Sequence, residues 1–542
     1  MKKLVSVLTV LLLIFSGTMV FAQARPLVKD GTFLLRRQRD RLDFQLKKKY
    51  LSDPSFRKNL LSANRDGLLV GESVVGFQVY NFMSGNYEYK PGLMVAEGEH
   101  CRLFIEKANA GCWGKLAETR FKQIVETFDR QVYSTVTAWF SEPVIPSQFA
   151  LYDDKIFIFL VDIKDNFSDG YVAGYFDHRD IDSLFGNQKP LFFMDINPGE
   201  PGDPDDKTNS FYRTLAHEFQ HMVSYSRRLA SGLEAQHRWL DEGLSMYSEF
   251  VYSGKVGKTP DCLPPSPHYE RFIENPAVNL FSSSNNSWFH EDFLFRKYGA
   301  SFLFVTYLIE KYGGNTPSER QDFTRRLVQK PNAGAAGLHE FLADYDTSLQ
   351  NVFKNWVVAC YLNDKSLNNG KWFFESIKIF ADAGFAQLPI KPVRHFYTKE
   401  QSSFVGGEGQ VSPNSVNLEE IYGEGSINLG FSFENGMTPS VVNVFKDSSA
   451  SLTDLNPDDS GKAEFTINLD ALDRALVLPV AVELSADTDE KLHYSFTSSS
   501  QGLLLYPLPN PAFPDQFIIL LRSIQSQLVA TPSLKISFNN LI

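Results

Sequence analysis

Thr214-Leu-Ala-His-Glu-Phe-Gln-His-Met-Val223 is the stretch whose reading decides the fold. It places His217 and His221 four residues apart, with Glu218 between them. On an α-helix a four-residue step turns about 40° past a full turn, so both imidazoles reach one metal ion. Glu218 sits one step round, close enough to handle a water without being a ligand. HExxH is a short pattern and recurs by accident, and an amphipathic helix carrying two histidines would explain it as well. Leu215, Phe219, Met222 and Val223 form an apolar stripe that suits either reading. Two features favour a metal. The run Asp203-Pro-Asp-Asp-Lys-Thr-Asn-Ser210 supplies turn and N-cap chemistry just upstream. Two histidines amid apolar residues are also costly to bury without a partner.

A third ligand is available in Trp239-Leu-Asp-Glu-Gly-Leu-Ser245. The chain between His221 and Glu242 is long enough to end one helix, turn at Ser231-Gly232 and begin a second that returns across the metal. His217, His221 and Glu242 then make a His₂Glu set, one of the standard catalytic zinc sites, with a fourth position left for water. The alternative for Glu242 is a first-turn glutamate favoured by the helix dipole.

HExxH followed by Trp-Leu-Asp-Glu-Gly resembles the gluzincin metallopeptidases. Within them, His-Glu-Phe-Gln-His-Met with Trp-Leu-Asp-Glu-Gly-Leu-Ser-Met is most similar to the hyicolysin-like peptidases. The likeness covers roughly residues 75–375, including Val95-Ala-Glu-Gly-Glu-His-Cys101 and Gly174-Tyr-Phe176. It implies a zinc-held water near neutral pKa, with Glu218 as general base and proton carrier to the leaving amine. Tyr247, Tyr252 and Tyr298 are candidates for a transition-state donor. Tyr298 is favoured, because Tyr298-Gly-Ala-Ser-Phe resembles the start of the helix that carries this tyrosine in aminopeptidase-type members. Two departures stand out. Asp241 replaces a frequent Asn. Met246 stands where thermolysin-type members place an acid that orients a zinc histidine, and Glu249, one turn on, is either its substitute or a solvated side chain. The resemblance also implies an extended substrate along an edge strand, for which Lys189-Pro-Leu-Phe-Phe-Met-Asp-Ile-Asn197 is the candidate. Met194-Asp-Ile-Asn197 lacks the glycine and glutamate of the Gly-x-Met-Glu-Asn motif that grips a substrate amine in aminopeptidases. That favours an endopeptidase, with an aminopeptidase as the alternative.

Residues 1–24 read as a secretory signal peptide, with Lys2 and Lys3, a short apolar run from Leu8 to Phe15 and Ala22-Gln-Ala24 as a cleavage site. That run is too short for a membrane helix, so an exported, soluble protein is expected. Residues 25–70 read as a basic helical segment, either a solvated surface or a propeptide. Net charge is −11, and loss of Lys2 and Lys3 takes it from −11 by 2 to −13. Nucleic-acid binding is disfavoured on that balance; a peptide or protein substrate is expected. Cys101, Cys112, Cys262 and Cys360 allow two disulfides, Cys101 with Cys112 and Cys262 with Cys360, or else buried free thiols. Asp203, Asp205 and Asp206 offer oxygen ligands for calcium, though a turn with a helix cap explains them equally.

The expected fold class is α+β. A zincin-type domain over residues 71–387 combines a mixed sheet with a helical lobe. Its helices include Leu116–Thr137, Tyr298–Tyr312 and Leu338–Leu362, and Ile156–Val161 is a buried strand. Residues 388–542 break into short runs with turn signals, which predict a β-sandwich-like domain; the proline-rich tail after Pro507 either completes it, the favoured reading, or is a surface-attachment or sorting element. A reading from another class remains: a surface-binding protein on a peptidase scaffold.

Overall fold

The computed structural model describes residues 27–32, 35, 74–145, 155–165, 170–182, 186–206, 209–256, 268–282, 291–377, 392–398, 405–482, 491–498, 504–510 and 513–522. Residues 1–24, read above as a signal peptide, Cys262 and most of residues 25–70 lie outside them.

The run Ile156-Phe-Ile-Phe-Leu-Val161 is the buried strand its sequence predicts, β5, with every residue buried. Both faces of a sheet strand must be covered for such a run to be stable, and both are. Ile156, Ile158 and Leu160 face a core that holds Phe121, Phe128, Leu215 and Phe219. Phe157, Phe159 and Val161 face a second core with Phe77, Tyr175 and Phe193. The seven strands are β1 (Leu27–Asp30), β2 (Val74–Asn81), β3 (Asn86–Glu97), β4 (Cys101–Glu106), β5, β6 (Gly170–Tyr175) and β7 (Leu191–Asp195). They lie in the order β1-β6-β7-β5-β4-β3-β2. β5 runs parallel to β4 and β7, and β6 runs antiparallel to β7.

Helix α1 (Ala117–Thr127) passes through a π turn at Phe128–Tyr133 into α2 (Ser134–Phe140). The metal-motif helix α3 (Ser210–Ala230) crosses the same face of the sheet. Its N-cap is Asn209, whose side chain accepts from the Phe211 amide at 3.0 Å. Asp203 takes the Asp205 amide in the turn before it, so this acidic run shapes the entry to α3. After the turn at Ser231-Gly232, α4 (Arg238–Val256) returns along α3. The helical lobe continues with α5 (His268–Glu274), α6 (Glu291–Tyr312), α7 (Pro317–Gln329), α8 (Gly334–Ala343) and α9 (Leu349–Leu362). The stretch read as one helix from Leu338 to Leu362 is two, because Ser348 starts α9 by capping the Asn351 amide.

The C-terminal region holds a five-stranded sheet over residues 393–478 and a four-stranded sheet over residues 406–498, and the two share a core of Ile421, Leu429, Phe431, Val441, Val477 and Phe496. Val442, Val444 and Leu476 instead join the core of the helical lobe. Lys354 pairs with Asp454 at 2.6 Å and Tyr361 donates to Glu420 at 2.7 Å.

Four expectations are corrected. Leu27–Asp30 is a strand, not helix, because the chain adds to the open edge of β6, a partner that no local pattern reveals. The apolar strand at Leu191–Asp195 lies inside the sheet between β5 and β6, so it cannot take a substrate by strand addition. Cys101 and Cys112 are free thiols. β4 carries the chain about 17 Å from Cys101 at roughly 3.3 Å per residue, and the turns after it do not bring Cys112 back within bridging distance. Cys360 is a buried free thiol as well. Finally, among the described residues Leu504–Asn510 and Phe513–Arg522 pair with each other and with neither larger sheet.

Candidate metal centre

α3 delivers His217 and His221 on one face, and α4 brings Glu242 over them. The His217 and His221 Nε2 atoms are 3.1 Å apart, and Glu242 Oε2 lies 3.5 Å from each. Zinc bonds of about 2.0–2.1 Å at tetrahedral angles put neighbouring ligand atoms about 3.3 Å apart. The three donors therefore already stand at the edges of a zinc tetrahedron. Glu242 is fully buried, and neither of its oxygens has a hydrogen-bond partner among the described residues. A buried carboxylate left so is costly unless a cation sits against it. Among the described residues this is the one group of three such side chains close enough to share an ion. The residues fit the metal the motif implies.

Gly243 explains why the helix can come so close. A Cβ there would lie 2.7 Å from Val305 Cγ2 and 2.8 Å from the Ser301 carbonyl oxygen. Only a residue without a side chain lets α4 press on α6 next to Glu242.

Each histidine is held from behind by a carboxylate. Glu249 Oε1 is 2.8 Å from His217 Nδ1, and Arg213 steadies Glu249 at 3.2 Å. Asp241 Oδ2 is 3.2 Å from His221 Nδ1, and Ser245 Oγ is 3.1 Å from the same nitrogen. Such contacts fix the tautomer that leaves Nε2 for a metal. The electrostatics follow. Burial alone would push the imidazoles down, but Glu242 and Glu249 hold His217 well above the usual histidine range. Asp241 and Glu242 raise His221 to about 10 against the same burial. Burial also works against the Glu242 carboxylate, yet the two histidines bring it down to about 2. The site is an anionic cage that demands positive charge.

Glu218 is buried beneath β6, where a Cβ on Gly174 would come within 3.0 Å of its Cγ. Its Oε2 accepts a hydrogen bond from Thr32 at 2.9 Å. Tyr298 lies more than a turn inside α6, which begins at Glu291 rather than at the tyrosine. Its ring is 5.3 Å from that of His268. Burial brings His268 down to about 4, against the pull of Glu249 and Glu242 and with the help of the His217 and Arg213 charges, so it is neutral at pH 7. Nothing in its sequence context marks His268, because it comes from a separate short helix with no spacing relation to the motif. Tyr247 and Tyr252 point elsewhere: Tyr247 packs on Trp139, and the Tyr252 hydroxyl reaches Gln131.

This chain is 28% identical over 270 residues to the neutral metalloprotease ShpI of Staphylococcus hyicus. The match takes in 46% of this chain and spans 58% of the length of that relative. No family model matches. Two solved structures show slight likenesses: native yeast LTA4 hydrolase (14% identity, 59% of this chain and 46% of that one, TM-score 0.30), and the pre-peptidase C-terminal domain of a Bacillus anthracis collagenase (10% identity, 20% of this chain and 97% of that one, TM-score 0.16). At these scores neither fixes the fold. Among the described residues no helix is long and apolar enough to cross a membrane.

Proposed function

We propose that this protein is an exported zinc-dependent peptidase, most simply an endopeptidase. In this reading a zincin-type catalytic domain is followed by a β-sandwich domain. The observation that carries it is the set of three buried donor atoms, 3.1, 3.5 and 3.5 Å apart, with Glu218 on the adjoining helix step. His217, His221 and Glu242 hold the metal. Zinc, when bound, supplies a Lewis acid that brings water towards a pKa of about 7. Glu249 and Asp241 keep the two imidazoles aimed and their Nε2 lone pairs free. The Glu218 carboxylate takes the proton of the attacking water and delivers it to the leaving amine. Tyr298, with neutral His268 beside it, supplies donors for the oxyanion. The substrate lies extended along β6, the strand directly above Glu218, and pairs through its backbone.

Purified protein stripped with a chelator should lose casein hydrolysis and regain it with one zinc per chain. Cleavage of aminoacyl substrates but not of casein would move the assignment to an aminopeptidase. Absence of both zinc and hydrolysis would favour a binding protein on this scaffold.

A further inference from the structure

The edge of β6 is already occupied. Leu27, Val28 and Lys29 pair in parallel with Gly170, Tyr171 and Val172, and after a bulge Asp30 pairs with Gly174. The chain then turns. Thr32, 1% exposed, donates its hydroxyl to Glu218 Oε2 at 2.9 Å, and the Thr32 hydroxyl oxygen accepts from the Phe176 amide at 2.7 Å. Leu35 follows into the buried cluster with Val172, Tyr175 and Phe193. Gly31 lies so close to β6 that a Cβ would stand 2.7 Å from both Tyr175 Cβ and Val172 Cγ1.

We propose that this segment is an intramolecular inhibitor: β1 fills the extended-peptide groove along β6, and Thr32 holds the Glu218 carboxylate. This rests on the reading of β6 and Glu218 as peptidase groove and base. The groove takes β1 as it would take any extended peptide, through backbone pairing. What the segment brings to the base is a hydroxyl, on a chain that has left the extended form at Gly31, so it seats without offering a strand peptide for attack. Because the segment is part of the chain, its hold is set by effective concentration and does not weaken on dilution. Relief requires the segment to be displaced or cut away.

The test uses the full chain, zinc-loaded, with Gly31→Val to push the segment off β6 and Thr32→Val to remove the contact with Glu218. Three readouts apply: steady-state hydrolysis of a fluorogenic peptide, the Kd of a peptide hydroxamate, and hydrogen exchange of the β6 amides. If the segment is seated nine-tenths of the time, its removal tightens apparent affinity about tenfold. Gly31→Val should therefore lower KM and hydroxamate Kd by about that factor with kcat unchanged, while β6 amides lose protection. Thr32→Val should move the same way, and Thr32→Ser, which keeps the hydroxyl, should behave as wild type. Unchanged KM and Kd in Gly31→Val with β6 amides exposed would overturn the proposal, as would β6 amides unprotected in the wild type. Should Gly31→Val fail to fold, Thr32→Val against Thr32→Ser decides: equal KM and Kd in the two would overturn it. If no form hydrolyses peptides while hydroxamate Kd tightens, the inhibitory segment stands and the peptidase reading falls.

Discussion

Glu249 lies two helical turns beyond Glu242 on α4, and its carboxylate meets Nδ1 of His217 at 2.8 Å. One face of one helix thus carries both the proposed metal ligand Glu242 and the carboxylate that orients His217 from another helix. The acid missing at Met246 is supplied three residues later. Glu249→Gln keeps an acceptor but removes the charge, and should weaken zinc binding by roughly 10–100-fold, with activity falling in step. Competition against a fluorescent chelator checks this; unchanged affinity would show that Glu249 is only a surface partner of Arg213.

Zinc and protons compete for the same cage. With His221 raised to about 10, the metal-free cage holds a proton at pH 7, and Glu242 and Glu249 pull His217 in the same direction against its burial. Zinc uptake should therefore release at least one proton per ion and tighten as pH rises. Calorimetry in buffers of different ionisation enthalpy measures the number. Stability has its own sign. A histidine pKa raised by folding stabilises the metal-free chain fully below about pH 6.5. That contribution fades as pH climbs towards about 10. Metal-free protein should thus lose melting temperature between those limits, and zinc should restore it.

How much of this was legible from the chain depends on how local each signal is. His217, Glu218 and His221 are fixed by helical spacing, and Glu242 by chain length between two helices. β5 announced itself through an unbroken apolar run. Glu249 was visible as a residue but not as a partner, since its meaning depends on how α4 crosses α3. His268 carried no signal, and β1 was misread because its strand form depends on an edge more than 140 residues away in sequence. The Cys101–Cys112 pairing failed for a similar reason: proximity in sequence was undone by the extended run of β4.

Tyr298→Phe and His268→Ala test the oxyanion side. Removal of one such donor elsewhere costs about 10²–10³ in kcat. The residue that contacts the reacting carbonyl should show that loss with KM nearly constant, and the other a smaller one. Stopped assays at saturating peptide separate them. A loss in KM alone for both would move the donor role away from this pair.

Gly243→Ala should be disproportionately harmful for one methyl group. Its Cβ would meet the Ser301 carbonyl at 2.8 Å, and backbone cannot rotate aside. Overpacking of this kind costs about 1–3 kcal/mol, and the shift of α4 should also displace Glu242 and weaken zinc. Denaturant unfolding with and without zinc would show both effects. A wild-type midpoint would mean the α4–α6 contact is looser than it stands here.

The central claim is that Glu218 performs proton transfer at a metal held by His217, His221 and Glu242. A peptide-library digest by zinc-loaded wild type and Glu218→Gln, with metal content measured on the same samples, tests it most directly. The expected result is cleavage of internal bonds by the wild type, about one zinc per chain in both proteins, and loss of cleavage by several orders of magnitude in Glu218→Gln. Comparable cleavage by the two proteins, or a wild type that binds zinc and cuts nothing even with the β1 segment displaced, would contradict it.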